Sequence, residues 1–139
     1  MDRREFVKLE IAEVLADLDL EAPEWRGDTL PLRYGPLVAL ITVLDHDDTQ
    51  WVRLTVSMLY EVAPSLALVQ RLLRLNDELL TGCFLLFEDN TLAYSQTLPE
   101  ESLQGPGWRR AALYGLRIAE EQVLELRALG GGVVSGEEL

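Results

Sequence analysis

Two neighbouring apolar segments with different rhythms constrain this chain more than any other feature. Leu37 to Leu44 is an almost unbroken apolar run, while Trp51 to Leu59 alternates, with Val52, Leu54, Val56 and Met58 on one side and Arg53, Thr55 and Ser57 on the other. A period of two belongs to a half-solvated strand, and a short apolar run bounded by turn residues suits a strand covered on both faces. The first is read as a central strand whose second face is covered by the protein itself or by a partner. The two pair through the polar loop from Asp45 to Gln50, and the chain is committed to a sheet.

On either side the rhythm changes. Residues 3 to 18 read as a helix: Asp2 and Glu5 have capping-box spacing, and Val7, Ile11, Val14, Leu15 and Leu18 recur at helical intervals. A connection containing Pro23 and Gly27 follows, and then a short strand from Asp28 to Tyr34 that ends at Gly35-Pro36. Pro64 suits a first helical turn, so Ser65 to Leu80 reads as the second helix. Cys83 to Phe87 and Thr91 to Leu98 form a hairpin over the acidic turn Glu88-Asp89-Asn90. After Pro99 and Gly105-Pro106-Gly107, a last helix runs from Trp108 to Leu129, with Ala112, Gly115, Leu116, Ala119, Val123 and Leu126 on one face.

The expected fold class is α+β, an antiparallel sheet with flanking helices in the order α-β-β-β-α-β-β-α. Residues 1–129 form one domain, and 130–139, rich in Gly and acid, are expected to be a flexible tail.

Little in the sequence points to catalysis. The one histidine, His46, sits in a polar loop, and the one cysteine, Cys83, lies in an apolar run as a buried small hydrophobe, so neither a Ser-His nor a Cys-His arrangement is expected. Asp45-His46-Asp47-Asp48 lacks the Gly and distal Glu of a calcium loop and reads as a solvated hairpin loop. Neither glycine cluster has the Lys and Ser or Thr of a phosphate loop or the dinucleotide fingerprint. No cofactor or metal is expected, and the chain is read as no enzyme.

Charge points to partners instead. With 24 acidic against 12 basic residues, a net charge of -12, direct nucleic-acid binding is disfavoured and a basic protein partner is attracted. That client could itself bind nucleic acid. No segment approaches the roughly 18 apolar residues of a membrane span, and the expectation is a cytoplasmic protein with no membrane contact. On the first helix, Phe6 and Leu9 project away from the core stripe beside Glu13 and Asp17, an apolar spot rimmed by acid and the candidate client contact. The second helix carries two stripes, Leu68, Leu72, Leu75 and Leu79 beside Leu66, Val69, Leu73 and Leu80, more apolar surface than one core needs. Leu66, Val69 and Leu73 are the candidate dimer interface.

The stretch Leu75-Asn76, then Cys83-Phe84-Leu85-Leu86-Phe87, the acidic turn, and Leu92 to Leu98 before Pro99 resembles the YbjN family of bacterial proteins, in which an Asn after the second helix is followed by a similar hairpin. The element order over residues 3 to 129 is also similar to the type III secretion chaperone fold. The resemblance implies a small acidic protein, usually a homodimer, that binds a client polypeptide without ATP or enzymatic activity; YbjN-like proteins are associated with regulation or stress responses. The functional expectation is a chaperone-like or adaptor module. The alternative is a ligand-sensing regulator with a pocket between the sheet and the last helix near Trp108 and Tyr114.

Overall fold

The computed structural model describes residues 2–22 and 24–137. It is an α+β fold: α1 (Arg3–Asp17), β1 (Thr29–Tyr34), β2 (Leu37–His46), β3 (Thr49–Tyr60), α2 (Leu66–Glu78), β4 (Cys83–Leu86), β5 (Leu92–Pro99), α3 (Gly107–Gly130) and β6 (Val133–Val134), with 3-10 turns at Glu100–Gln104 and Ser135–Glu137. The strands form one antiparallel sheet in the order β1-β2-β3-β5-β4, and β6 pairs with β3.

Local chemistry sets the element ends. The Asp2 carboxylate accepts the Glu5 N–H at the start of α1, and the Ser65 hydroxyl accepts the Leu68 N–H at the start of α2. The loop expected over six residues is tighter: β2 and β3 run on to His46 and Thr49, and only Asp47 and Asp48, both with positive φ, make the turn. Two left-handed residues in a row match the right-handed twist of a hairpin.

Inward strand positions and the helices share a single core. Ile41, Leu54, Val56, Met58 and Leu92 are buried against Val7 and Ile11 of α1, Leu68 of α2 and Trp108, Leu116 and Leu126 of α3. All three helices therefore cover the same face of the sheet. Among the described residues no layer covers the other face, so Leu40 and Leu44 of β2 stay half-buried where the sequence allowed either a covering layer or a partner.

At the centre, Tyr94 of β5 packs edge-on against Phe84 at 5.9 Å between ring centres and abuts α3 at Gly115. A methyl group on Gly115 would sit 2.4 Å from the Tyr94 ring, so glycine is what lets the helix come this close. Burial pushes the Tyr94 phenol well above its ordinary range, which keeps it un-ionised. Its hydroxyl donates to the Thr81 carbonyl at 2.8 Å and also lies 2.9 Å from the side-chain amide of Gln96. One hydroxyl has one proton, so the Gln96 amide nitrogen, which otherwise lacks a partner, is best placed as the donor in that second contact.

The glycine-rich segment read as a flexible tail is a correction. Val133 and Val134 pair with Tyr60 and Leu59, Ser135 and Gly136 are buried, and the Gly136 N–H donates to the Pro36 carbonyl at 2.9 Å. Glu138 and Leu139 lie outside the described residues. Val38 and Ser57 face each other across β2 and β3, and the Ser135 hydroxyl stands between them: it accepts from the Val38 N–H at 2.9 Å and donates to the Ser57 carbonyl at 2.5 Å. Ser135→Ala strands both backbone groups, and we expect it to lower stability by about 1–3 kcal/mol. Hydrogen exchange should show the loss of protection at the Val38 amide, and unchanged protection there would remove the bridging role.

Candidate functional site

The basic residues of α1 are turned to anchoring the helix. Arg4 pairs with Asp28 at 2.6 Å and with Asp45 of β2, and Lys8 reaches Asp28 at 3.3 Å and the Gly27 carbonyl at 2.9 Å while lying 5.3 Å over the Trp25 ring. Arg3 pairs with Glu100 at 2.6 Å and caps the Phe6 ring at 5.0 Å. Arg3 itself stays half exposed over Phe6, so what α1 presents outward is apolar and acidic apart from that one guanidinium.

Phe6 is 41% and Leu9 53% exposed, and Glu13 and Asp17 are exposed on the same helical face, so the structure brings the four candidate client residues together. Asp17 also accepts from Arg109 of α3 at 2.7 Å, which ties one acid of the rim to the neighbouring helix. Near this face Glu10 carries a carboxyl raised above its ordinary range, first by burial, with Glu100 and Glu13 adding to the rise and Arg3 opposing it. A carboxyl whose folded pKa is raised destabilises the fold while it is ionised, and the penalty disappears as pH falls through that raised value toward the ordinary range. Glu10→Gln is therefore expected to melt higher than wild type at pH 7, with the gap closing at acid pH; thermal melts across pH would show a constant gap if the reasoning is wrong.

On α2 the two stripes separate. Leu68, Leu72 and Leu75 enter the core, while Leu66, Val69 and Leu73 stand 74%, 39% and 66% exposed. Arg71, on the side toward α3, pairs with Glu125 at 2.9 Å. On the other side Asn76 reaches β4, the edge strand: its side-chain amide donates to the Phe84 carbonyl at 3.1 Å and its oxygen accepts the Phe84 N–H at 2.6 Å. The side chain behaves as one residue of a neighbouring strand, and it blocks the edge from pairing with another chain. The far edge is blunted differently, because Pro31 sits in the middle of β1 and has no N–H to offer.

The readings near Cys83 and Trp108 are corrected. Cys83 is half-buried on the outward face rather than in the core. Trp108 is fully buried, and the groove beside Tyr114 is lined by Arg110, Leu113, Arg117, Ile118 and Glu121 without it; the Tyr114 hydroxyl accepts the Leu80 N–H at 3.1 Å. His46 is exposed beside Asp47 at 3.4 Å, and no metal-holding group of His, Cys, Asp and Glu occurs among the described residues. No helix among them is long and apolar enough to cross a membrane.

Sequence reasoning missed the brace at Asn76 and the uncovered sheet face. The asparagine was visible only as part of a resemblance, since an amide on a helix gives no sign of the backbone it will meet. The sheet face was readable from strand alternation once all helices were placed on one side. No family model matches this chain, and no curated protein is significantly similar to it.

Proposed function

We propose that this chain is a non-enzymatic protein-binding module, chaperone-like or an adaptor, that forms a homodimer through α2 and receives a basic client polypeptide on its acidic helical layer in the cytoplasm. The observation that carries the reading is the exposed row Leu66, Val69 and Leu73, lying beside a stripe already committed to the core. Large apolar side chains gathered on one helix face are unfavourable in water, and a second copy relieves that. Both sheet edges are obstructed, so the dimer is built helix on helix and not by strand addition. The YbjN-like and secretion-chaperone-like resemblance supports the same reading.

The client surface is Phe6 and Leu9 with Glu13 and Asp17, where an apolar anchor inside an acidic rim suits a basic segment. Sedimentation equilibrium tests the dimer: wild type is expected to be dimeric at micromolar concentration, and Leu66→Glu with Leu73→Glu monomeric with unchanged far-UV circular dichroism. A monomeric wild type at about 100 μM sinks the dimer, because a functional interface of standard size is far tighter than that. For the client surface, Phe6→Glu with Leu9→Glu should lose partners that wild type retains at low salt and releases at high salt.

A further inference from the structure

We propose that the uncovered face of the sheet is a second docking surface with the opposite charge preference: it takes an amphipathic helix of a partner protein whose apolar stripe is flanked by aspartate or glutamate. The outward positions of an antiparallel sheet that faces water are ordinarily polar. Here they include Leu40, Leu44 and Trp51, with Leu85 and Phe87 across the sheet, and Arg53 between the two groups.

The distribution of charge identifies the occupant. Among the described residues Asp45 is the only acid in a strand, and its side chain is on the helical side, paired with Arg4. The acids thus sit on helices, turns and connections, while the outward strand positions carry Arg33 and Arg53 and not one carboxylate. Arg53 donates to the Thr97 hydroxyl at 2.9 Å and Arg33 to the Gly136 carbonyl at 3.1 Å, neutral acceptors that hold the guanidinium groups in place without cancelling their charge. A basic segment here would meet like charge, and an acidic one would be paired at close range.

Geometry selects a segment that lies across the face. Asn76 occupies the outer backbone groups of Phe84 and Pro31 interrupts β1, so a partner cannot join by adding a strand. A helix can set its apolar stripe over Leu40 and Leu44 on one side and Leu85 on the other, with a flanking carboxylate on Arg53.

The test uses two synthetic amphipathic helices with the same leucine stripe, one flanked by glutamates and one by lysines, titrated into the full chain at about 0.15 M salt by fluorescence anisotropy and by amide chemical shifts. The glutamate peptide is expected to bind about tenfold more tightly than the lysine peptide and to shift amides of β2, β3 and β4, and Arg53→Glu is expected to reverse the order. The chain's charge of -12 taken as a whole gives the opposite order. Tighter binding of the lysine peptide to this face, shifts confined to α1 or α2, an order that survives Arg53→Glu, or no binding by either peptide overturns the proposal. The helical-layer client surface is unaffected by any of these results, because it is read from Phe6→Glu with Leu9→Glu.

Discussion

Replacing Tyr94 with alanine is expected to lower stability by about 3–5 kcal/mol, the range for removing a buried aromatic ring. The site offers little room for collapse. The ring is fixed on one side by Phe84 and on the other by the backbone of α3 at Gly115, and β5 beneath it is paired on both sides. Neither neighbour can move into the space without lifting a whole element, so most of the void remains. Tyr94→Phe separates ring from hydroxyl: it leaves the packing and removes the contacts to Thr81 and Gln96, at an expected cost of about 1–3 kcal/mol. Equilibrium urea unfolding followed by circular dichroism measures both. A Tyr94→Ala loss below about 1 kcal/mol would mean that α3 can settle onto the sheet, and would contradict the rigid seat inferred here.

Asn76→Ala is the second large effect, expected at about 2–3 kcal/mol because it strands the Phe84 N–H and carbonyl together. Stability is only half of the outcome. With the amide gone, β4 becomes a bare edge strand carrying Phe84, Leu85 and Leu86, and a second chain can pair along it. The variant should therefore associate in a concentration-dependent way that does not require Leu66 and Leu73. Asn76→Asp keeps the acceptor for the Phe84 N–H and loses the donor, so it should fall between wild type and alanine. Light scattering of the variant in the Leu66→Glu, Leu73→Glu background decides the matter, since a strictly monomeric triple variant would show that the brace does not guard the edge.

The order of elements was legible because the chain changes period cleanly, from helical on Val7, Ile11 and Val14 to alternating on Val52, Leu54 and Val56 and back again. The two stripes of α2 were legible as well, and the structure shows which one enters the core. The segment after α3 was not legible. Its glycines read as looseness, yet a methyl group on Gly136 would sit 2.1 Å from the Pro36 carbonyl oxygen, so at that position glycine marks tight packing. Composition alone cannot distinguish a glycine that lets the chain move from one that lets two backbones touch. Two valines are also too short a run to announce a strand. Of the candidate surfaces, helical spacing was enough to find the faces of α1 and α2. The sheet face could be judged only after the helices were assigned to one side.

The hydroxyl bridge of Ser135 also bears on the order of events in folding. The gap it fills, between the Val38 N–H and the Ser57 carbonyl, exists only once β2 and β3 have aligned, and Ser135 lies 97 residues from Val38 along the chain. Closing so long a loop costs entropy that a single side chain cannot return, so the segment should dock after the rate-limiting step rather than within it. Ser135→Ala would then leave the refolding rate nearly unchanged and accelerate unfolding, shifting one arm of the chevron and not the other. The bridge would act chiefly as a latch on an assembled sheet, lengthening the lifetime of the native state without guiding the path to it.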